Sequence, residues 1–464
     1  MARISNRMSC YRQVTSLSCR NAYGVTLAGV TLASSLLAVS TAHAGNWDFE
    51  PRIELGAIYN DNYRLAESGT PKIPAYGPLA DVAMGFALID QRSEFDIVPR
   101  VHSSYFPDDH EDQSTDGYLN IGGNYHFLRG ILSGTASYAN ETVISSELLP
   151  AAFPGVSLGQ IVGEGTGRVS IHNRRQLEQV APKFTFDFTP RYHLLTEAIF
   201  ETASYSNNLS GASGLTAAQQ AQYVQVGFKN IYASAGVQYD ITQRQDIIFK
   251  LLGADFMPDR ATVLGTGPTA APINNTTTDT QRYGGEAQWD TKPNDVMQTY
   301  VRLGVSEVHA NTAVDGVINK TLVVGGAGVV WTYQLSQYIV DAVRDLSPSA
   351  AGAVIQQDEL RFRLLHAIQP RLYGVLAARY VRVRGASNTI LGIQGSDYTA
   401  ASASLQYQLT TNYRLATEYD YTWQKFQGEP YAGSNGISLS VIWQPASKYR
   451  PLPNYNALPL DRPQ

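Results

Sequence analysis

The chain has 464 residues, with 35 Lys and Arg against 40 Asp and Glu, 44% hydrophobic residues and only 16% charged ones. Enough apolar and aromatic surface is present to exclude a disordered chain, and the negative balance without a basic stripe argues against nucleic acid as a partner. Beyond residue 44 no run of about 18 uncharged apolar residues exists, which excludes a polytopic helical membrane protein.

In chain order the first element is an address. Arg3, Arg7, Arg12 and Arg20 form a basic region free of acids, Val25 to Val39 is small and apolar, and Ala42-His43-Ala44 gives a small–x–small cleavage site before Gly45. Residues 1–44 therefore read as a secretory signal peptide, with an uncleaved signal anchor as the alternative. Cys10 and Cys19 both lie inside it. An exported chain would then have no disulfide to lean on, and its stability must come from the fold.

From Trp47 onward the sequence reads as strand. The pattern is clearest at Tyr413, Leu415, Thr417, Tyr419, Tyr421 and Trp423, which alternate with Arg414, Ala416, Glu418, Asp420 and Thr422. Period 2 puts the two sets on opposite sheet faces. The same alternation sets Phe95, Ile97, Val101 and Tyr105 against Glu94, Asp96, Arg100 and His102, and Leu360, Phe362 and Leu364 against Arg361 and Arg363. Such segments begin near residues 47, 77, 92, 115, 130, 170, 191, 222, 244, 279, 294, 318, 336, 354, 371, 396, 412 and 434. Tight connectors at Asp90-Gln91, Leu128-Arg129-Gly130, Thr189-Pro190, Thr242-Gln243, Lys292-Pro293-Asn294, Leu335-Ser336, Gln369-Pro370 and Thr410-Thr411 alternate with long polar ones such as Asp61 to Tyr76, Ser145 to Gly167 and Pro258 to Thr278.

That rhythm predicts an all-β chain: one closed transmembrane antiparallel barrel of about eighteen strands, sixteen being the alternative, with short periplasmic turns and long extracellular loops. Many segments run past ten residues, the length a tilted membrane strand needs, whereas soluble strands average about 5–6. A periplasmic sandwich or propeller would not produce strict long–short alternation. The barrel is expected over residues 45–444, between the signal peptide and a tail of residues 445–464. Aromatic residues gather near strand ends, at Trp47, Tyr63, Tyr105, Phe106, Tyr125, Phe127, Trp331, Tyr333, Tyr421 and Trp423, as interfacial girdles require. The tail carries five prolines, which favour extended polyproline conformations; it is expected in the periplasm, with the lumen as the alternative.

The last strand, Ser434 to Trp443, resembles the polar–x–Gly–x–x–apolar–x–apolar signal by which outer-membrane barrels are recognised for insertion, although the chain does not end there. Tyr59-Asn60-Asp61-Asn62 after the first strand and Arg344-Asp345-Leu346-Ser347-Pro348-Ser349 at the end of a later one are further familiar stretches. With the barrel rhythm, these make the chain similar to the outer-membrane β-barrel porins of Gram-negative bacteria, nearest to barrels associated with exopolysaccharide and PEP-CTERM systems. The resemblance implies a cell outer-membrane location, contact with lipid and lipopolysaccharide, engagement of the barrel-insertion machinery through the last strand, and a link to exopolysaccharide export components. It transfers no catalytic residue.

The residues themselves point to no cofactor and no enzyme. His102, His110, His126, His172, His193, His309 and His366 form no spaced metal motif, and no thiolate remains for zinc. A barrel-wall Ser–His hydrolase is a weak third reading, since nothing brings a particular Ser, His and acid together. Gly163 to Gly167 and Gly325 to Gly328 lack the helix that a phosphate loop needs; bulges or tight wall packing explain them better. Asp108 to Asp112 reads as a solvated loop tip before a Ca²⁺ or Mg²⁺ site. Function is expected in the lumen, because Arg or Lys facing lipid near the midplane costs about 2–4 kcal/mol. Arg302, Arg361, Arg363, Arg414, Glu418 and Asp420 are the lumen-facing candidates, alongside Glu94, Asp96, Arg100, Glu197 and Glu201. Either a hydrated pore or wall-stiffening ion pairs would use them. The functional expectation is a porin-like passive conduit, with a non-conducting surface or structural barrel as the alternative.

Overall fold

The computed structural model describes residues 46–445, except 64, 67, 70, 73, 108–112, 147–167, 207–224, 260–278, 313–315, 351, 386–394 and 427–429. Residues 1–44, the acidic stretch Asp108 to Asp112, Gly163 to Gly167 and all of the tail beyond Pro445 lie outside the described residues. The strands are β1 Asn46–Asn60, β2 Ala75–Ile89, β3 Ser93–Ser104, β4 Ser114–Phe127, β5 Gly130–Ser146, β6 Arg168–Thr189, β7 Tyr192–Ser206, β8 Phe228–Thr242 and β9 Gln245–Pro258. They continue as β10 Asp279–Asn294, β11 Met297–Thr312, β12 Gly316–Tyr333, β13 Ser336–Ser349, β14 Ala353–Gln369, β15 Leu372–Gly385, β16 Ser396–Gln408, β17 Tyr413–Phe426 and β18 Tyr431–Trp443. The described residues contain no helix.

Each strand pairs with its chain neighbours, and β1 pairs antiparallel with β18 from Ile53–Trp443 to Asn60–Gly436. The eighteen strands thus form one closed antiparallel sheet, which leaves no edge to template association. The apolar set of each strand lies on the convex face, where Leu55, Leu251, Leu303, Phe362, Tyr413, Tyr419 and Leu439 are exposed. The opposite face is concave and crowded: Glu50, Arg52, Asp81, Arg175, Arg282, Glu286, Arg361 and Arg379 are buried there. Polar inside and apolar outside is the arrangement a hydrocarbon surround selects. Exposed rings ring both ends of the wall, with Trp47, Phe127, Phe188, Tyr192 and Trp331 at the short-turn rim and Tyr76, Tyr105, Tyr283 and Tyr431 at the other.

Short turns follow local chemistry. The Thr189 hydroxyl accepts from the N–H groups of Arg191 and Tyr192, and the Thr410 hydroxyl accepts from Asn412 and Tyr413. Such side-chain mimicry of a turn is what Ser and Thr offer at strand ends. The tight connector expected at Lys292-Pro293-Asn294 falls wholly inside a strand. Pro293 belongs to β10, at a register shift between Thr291 and Asn294, and the turn falls at Asp295-Val296. A bulge tolerates the missing proline N–H.

The seam between β1 and β18 carries its own fastening at the long-loop rim. Asn62 is fully buried, and its side-chain amide donates to Ala66 O at 3.0 Å and Gly433 O at 2.9 Å while its oxygen accepts from the Ala66 N–H at 2.9 Å. Asp61 accepts from the Asn435 N–H at 2.6 Å and from its side-chain amide at 2.8 Å. Asn60 accepts from the Ser434 hydroxyl at 2.7 Å. Asn60-Asp61-Asn62 therefore ties the first strand to the last.

Candidate functional site

The long–short rhythm breaks on the long-loop rim at residues 313–315, between β11 and β12, and again one hairpin later. Between β13 and β14, on the long-loop rim, the connector is only residues 350–352. Gly352 takes a positive φ of 79° and its N–H reaches Ser349 O at 3.0 Å, closing a turn that a side chain would strain. β12 accompanies β13 only from Tyr333–Ser336 to Gly325–Arg344. Past Arg344, β13 parts from β12 but stays paired with β14 to Ser349–Ala353, and β14 stays paired with β15 from Ile355–Gly385 onward.

The destination of this hairpin is the barrel interior. Ala350 O accepts from the Val226 N–H at 2.8 Å, and Val226 lies just before β8, five strands from β13 in the sheet order. A bond between such distant parts of a closed wall has to cross the space the wall encloses. Val226 is also why β8 starts at Phe228, six residues later than the sequence suggested: its N–H serves the hairpin tip instead of a neighbouring strand. Leu346 and Val354 of the hairpin pack with Ala203 of β7, Phe228 of β8, Phe256 of β9, Val308 of β11, and Leu322 and Val324 of β12. On the hairpin's other side Ile355 packs with Val381, Val383, Tyr398 and Ala400 of β15 and β16. Leu346, Ser347, Ser349, Ala350 and Ala353 are all buried, with Ala350 at 0% exposure.

Charged side chains hold the base of the hairpin. Arg282 of β10 donates to Ser306 Oγ at 3.0 Å, Leu346 O at 3.2 Å and Asp345 at 3.2 Å. Arg302 of β11 reaches Asp345 at 3.1 Å and Glu286 at 3.5 Å. Tyr300 hydrogen-bonds Asp341 of β13. Tyr300 and Arg302 span β12 to do so, and β12 presents Gly328 and Gly326 opposite them. A Cβ on Gly326 would sit 3.0 Å from Ala342 O and 3.1 Å from Val343 Cγ2. The glycine run thus serves tight packing along a regular ladder, with no bulge.

The sequence-chosen residues meet different fates. Arg302 belongs to the hairpin anchor. Arg361, 7% exposed beside a 37% exposed Phe362, makes a two-point ion pair with Glu359, both contacts at 2.5 Å, and Arg379 shares that carboxylate at 2.6 Å. Arg363 is half-buried on the same inner face and has no ion pair among the described residues. Arg414 donates to Gln444 Oε1 at 2.6 Å, while Glu418 and Asp420 stand on the inner face of β17, half-buried. Elsewhere Arg100 pairs with Asp81 at 2.7 Å, Glu197 with Lys183 at 2.7 Å, and Glu201 with Asn230 at 3.5 Å. The residues missed by sequence reasoning are Arg282, Asp345, Leu346, Ala350 and Val226. Besides the familiar Arg344 to Ser349 stretch, their sequence signal is Ser349-Ala350-Ala351-Gly352, small residues where the rhythm calls for a long polar loop.

No protein-family model matches this chain, and no curated protein does. Solved structures of outer-membrane proteins are similar over most of the chain, at low identity. The crystal structure of the outer membrane channel DcaP of Acinetobacter baumannii shares 11% identity at a TM-score of 0.41, covering 87% of this chain and 98% of that one. Pseudomonas aeruginosa OccK2 (OpdF) shares 10% identity at 0.43, and Acinetobacter baumannii OccAB2 10% at 0.41, each covering 86% of this chain and 98% of its own.

Proposed function

We propose that this chain is an outer-membrane barrel acting as a porin-like passive conduit, whose passage is the part of the lumen that the β13–β14 hairpin leaves open. The observation that carries the reading is the Val226–Ala350 bond across the interior. A wall of eighteen strands encloses an aqueous width unless something fills it, and among the described residues the end of the β13–β14 hairpin is the element that packs into it. The apolar convex face with its two aromatic rims fits outer-membrane lipid, and the outward ion pairs Arg344–Asp358 and Arg382–Asp397 at the long-loop rim fit a lipopolysaccharide headgroup layer. The outward residues Ile437, Leu439 and Val441 suit recognition of β18 by the insertion machinery. A link to exopolysaccharide export rests on the sequence resemblance.

Planar-bilayer recording of the purified barrel tests the conduit. Steady single-channel conductance is expected. A barrel folded by its heat-dependent gel mobility yet impermeable to ions would favour the second reading, a non-conducting surface or structural barrel, which the apolar packing around the hairpin also accommodates.

A further inference from the structure

On the inner face an arginine and a pair of carboxyl groups lie three strands apart, the two carboxyls hydrogen-bonded to each other and Glu418 also to Ser402. Arg363 of β14 stands beside Ala377 of β15, Ala377 beside Ser402 of β16, and Ser402 beside Asp420 of β17. The next inward position of β17 is Glu418, opposite Ser404. Among the described residues Arg363 makes no ion pair, and neither Glu418 nor Asp420 is paired with a base. All three are half-buried, neither sealed in the wall nor fully bathed in solvent.

The register fixes the separation. Three inter-strand steps of about 4.8 Å place the Arg363 and Asp420 backbones about 14 Å apart along the wall. Side chains on the inner face stand roughly perpendicular to the sheet, and on a closed, curved wall they converge, so the gap between the charged ends is shorter than that backbone separation. The floor between them is Ala377 and Ser402, too small to fill that gap. Other inner-face arginines nearby are already committed: Arg361 and Arg379 to Glu359, Arg302 to Asp345 and Glu286. An arginine fork suits a carboxylate, which it can hold by two parallel hydrogen bonds, and a neighbouring pair of carboxyl groups suits an ammonium.

We infer that Arg363, with Glu418 and Asp420 across the Ala377–Ser402 floor, forms a binding site for small zwitterions carrying a carboxylate and an ammonium a few atoms apart, of the free amino acid or dipeptide class. Arg363 takes the carboxylate and the acidic pair the ammonium. A dipole so held lies across the passage, and both ends must be met together, so a molecule carrying only one of the charges is held less well. The assignment rests on the conduit reading for the route it names, but the site itself binds whether or not current flows.

The test is saturation-transfer NMR of the detergent-solubilised full barrel with alanylalanine, using its N-acetylated amide as the uncharged control. Wild type should give a saturable signal with the zwitterion and at least tenfold less with the control. Arg363→Gln and Asp420→Asn should each lower affinity about tenfold or more, while Arg363→Lys retains binding; heat-dependent gel mobility certifies that each variant is folded. Equal signals from zwitterion and control in wild type, or undiminished binding in Arg363→Gln, would overturn the site. Arabinose entry in a liposome-swelling assay reports on the conduit separately. Binding without arabinose entry would reject the conduit and keep the site, and entry without binding would do the reverse.

Discussion

At the scale of single residues, the seam is held by three side chains whose partners lie at the far end of the chain. Asn62 replaces backbone partners that no strand supplies, so Asn62→Ala should strip the Gly433 and Ala66 carbonyls and the Ala66 N–H of their partner in a buried site. A loss of about 1–3 kcal/mol follows from unmet buried groups, read as a lower temperature for the heat-induced gel shift. Partial burial works to raise the Asp61 carboxyl, but the two Asn435 donors and the Lys72 ammonium outweigh it and hold the group below the usual carboxylate range. A carboxyl depressed in the folded state contributes stability above its unfolded pKa and loses it as pH falls through the folded value. The fastening should therefore weaken in acid below the ordinary Asp range, ~3.9, and Asp61→Asn should flatten that dependence in a pH series of unfolding midpoints. The Tyr59 to Asn62 stretch was visible in the sequence as a familiar string. Its role was not, because a contact to Gly433 spans 371 positions and no local pattern encodes it.

At the scale of elements, period 2 made most of the wall legible. Alternation at Tyr413 to Trp423 or Leu360 to Leu364 records directly which side chains meet hydrocarbon and which meet the interior. Cysteine scanning exploits the cysteine-free wall: residues 414 and 418 should react with water-soluble reagents, and 413, 415 and 419 should stay silent. Inverted reactivity would mean a register displaced by one residue. The β13–β14 hairpin was illegible for a physical reason. Its inward turn depends on Val226, Phe228 and Phe256 waiting across the lumen, so its own sequence looks like two strands with a missing loop. Arg282→Ala should loosen the hairpin base by leaving Leu346 O without its side-chain donor and Asp345 with Arg302 alone; an unmet buried group costs about 1–3 kcal/mol. The expected readout is new protease sensitivity between Asp345 and Gln357 in a barrel that keeps its heat-dependent mobility. Gly326→Val should act on the same region from β12, forcing against Ala342 O and Val343 at a cost of about 1–3 kcal/mol, and lowering the unfolding temperature without that sensitivity.

At the scale of the whole molecule, closure follows from the pairing of β1 with β18, and among the described residues the end of the β13–β14 hairpin packs into the interior. The wall alone would enclose a broad aqueous channel. On the conduit reading, the hairpin narrows this to a passage that runs past the arginines of β14 and β15 and the acids of β17. The sequence reading found the candidates Arg361, Arg363, Arg414, Glu418 and Asp420 by excluding charge from lipid, but it had no means to tell the paired from the unpaired, since Glu359 and Asp420 look alike until the register sets their neighbours. The most direct test compares single-channel conductance of wild type with a variant in which residues 346–352 are replaced by a two-residue turn. If the hairpin narrows the conduit, the shortened barrel should conduct steadily and several-fold more than wild type. An unchanged conductance, or a barrel that stays closed to ions after the hairpin is removed, would contradict the account.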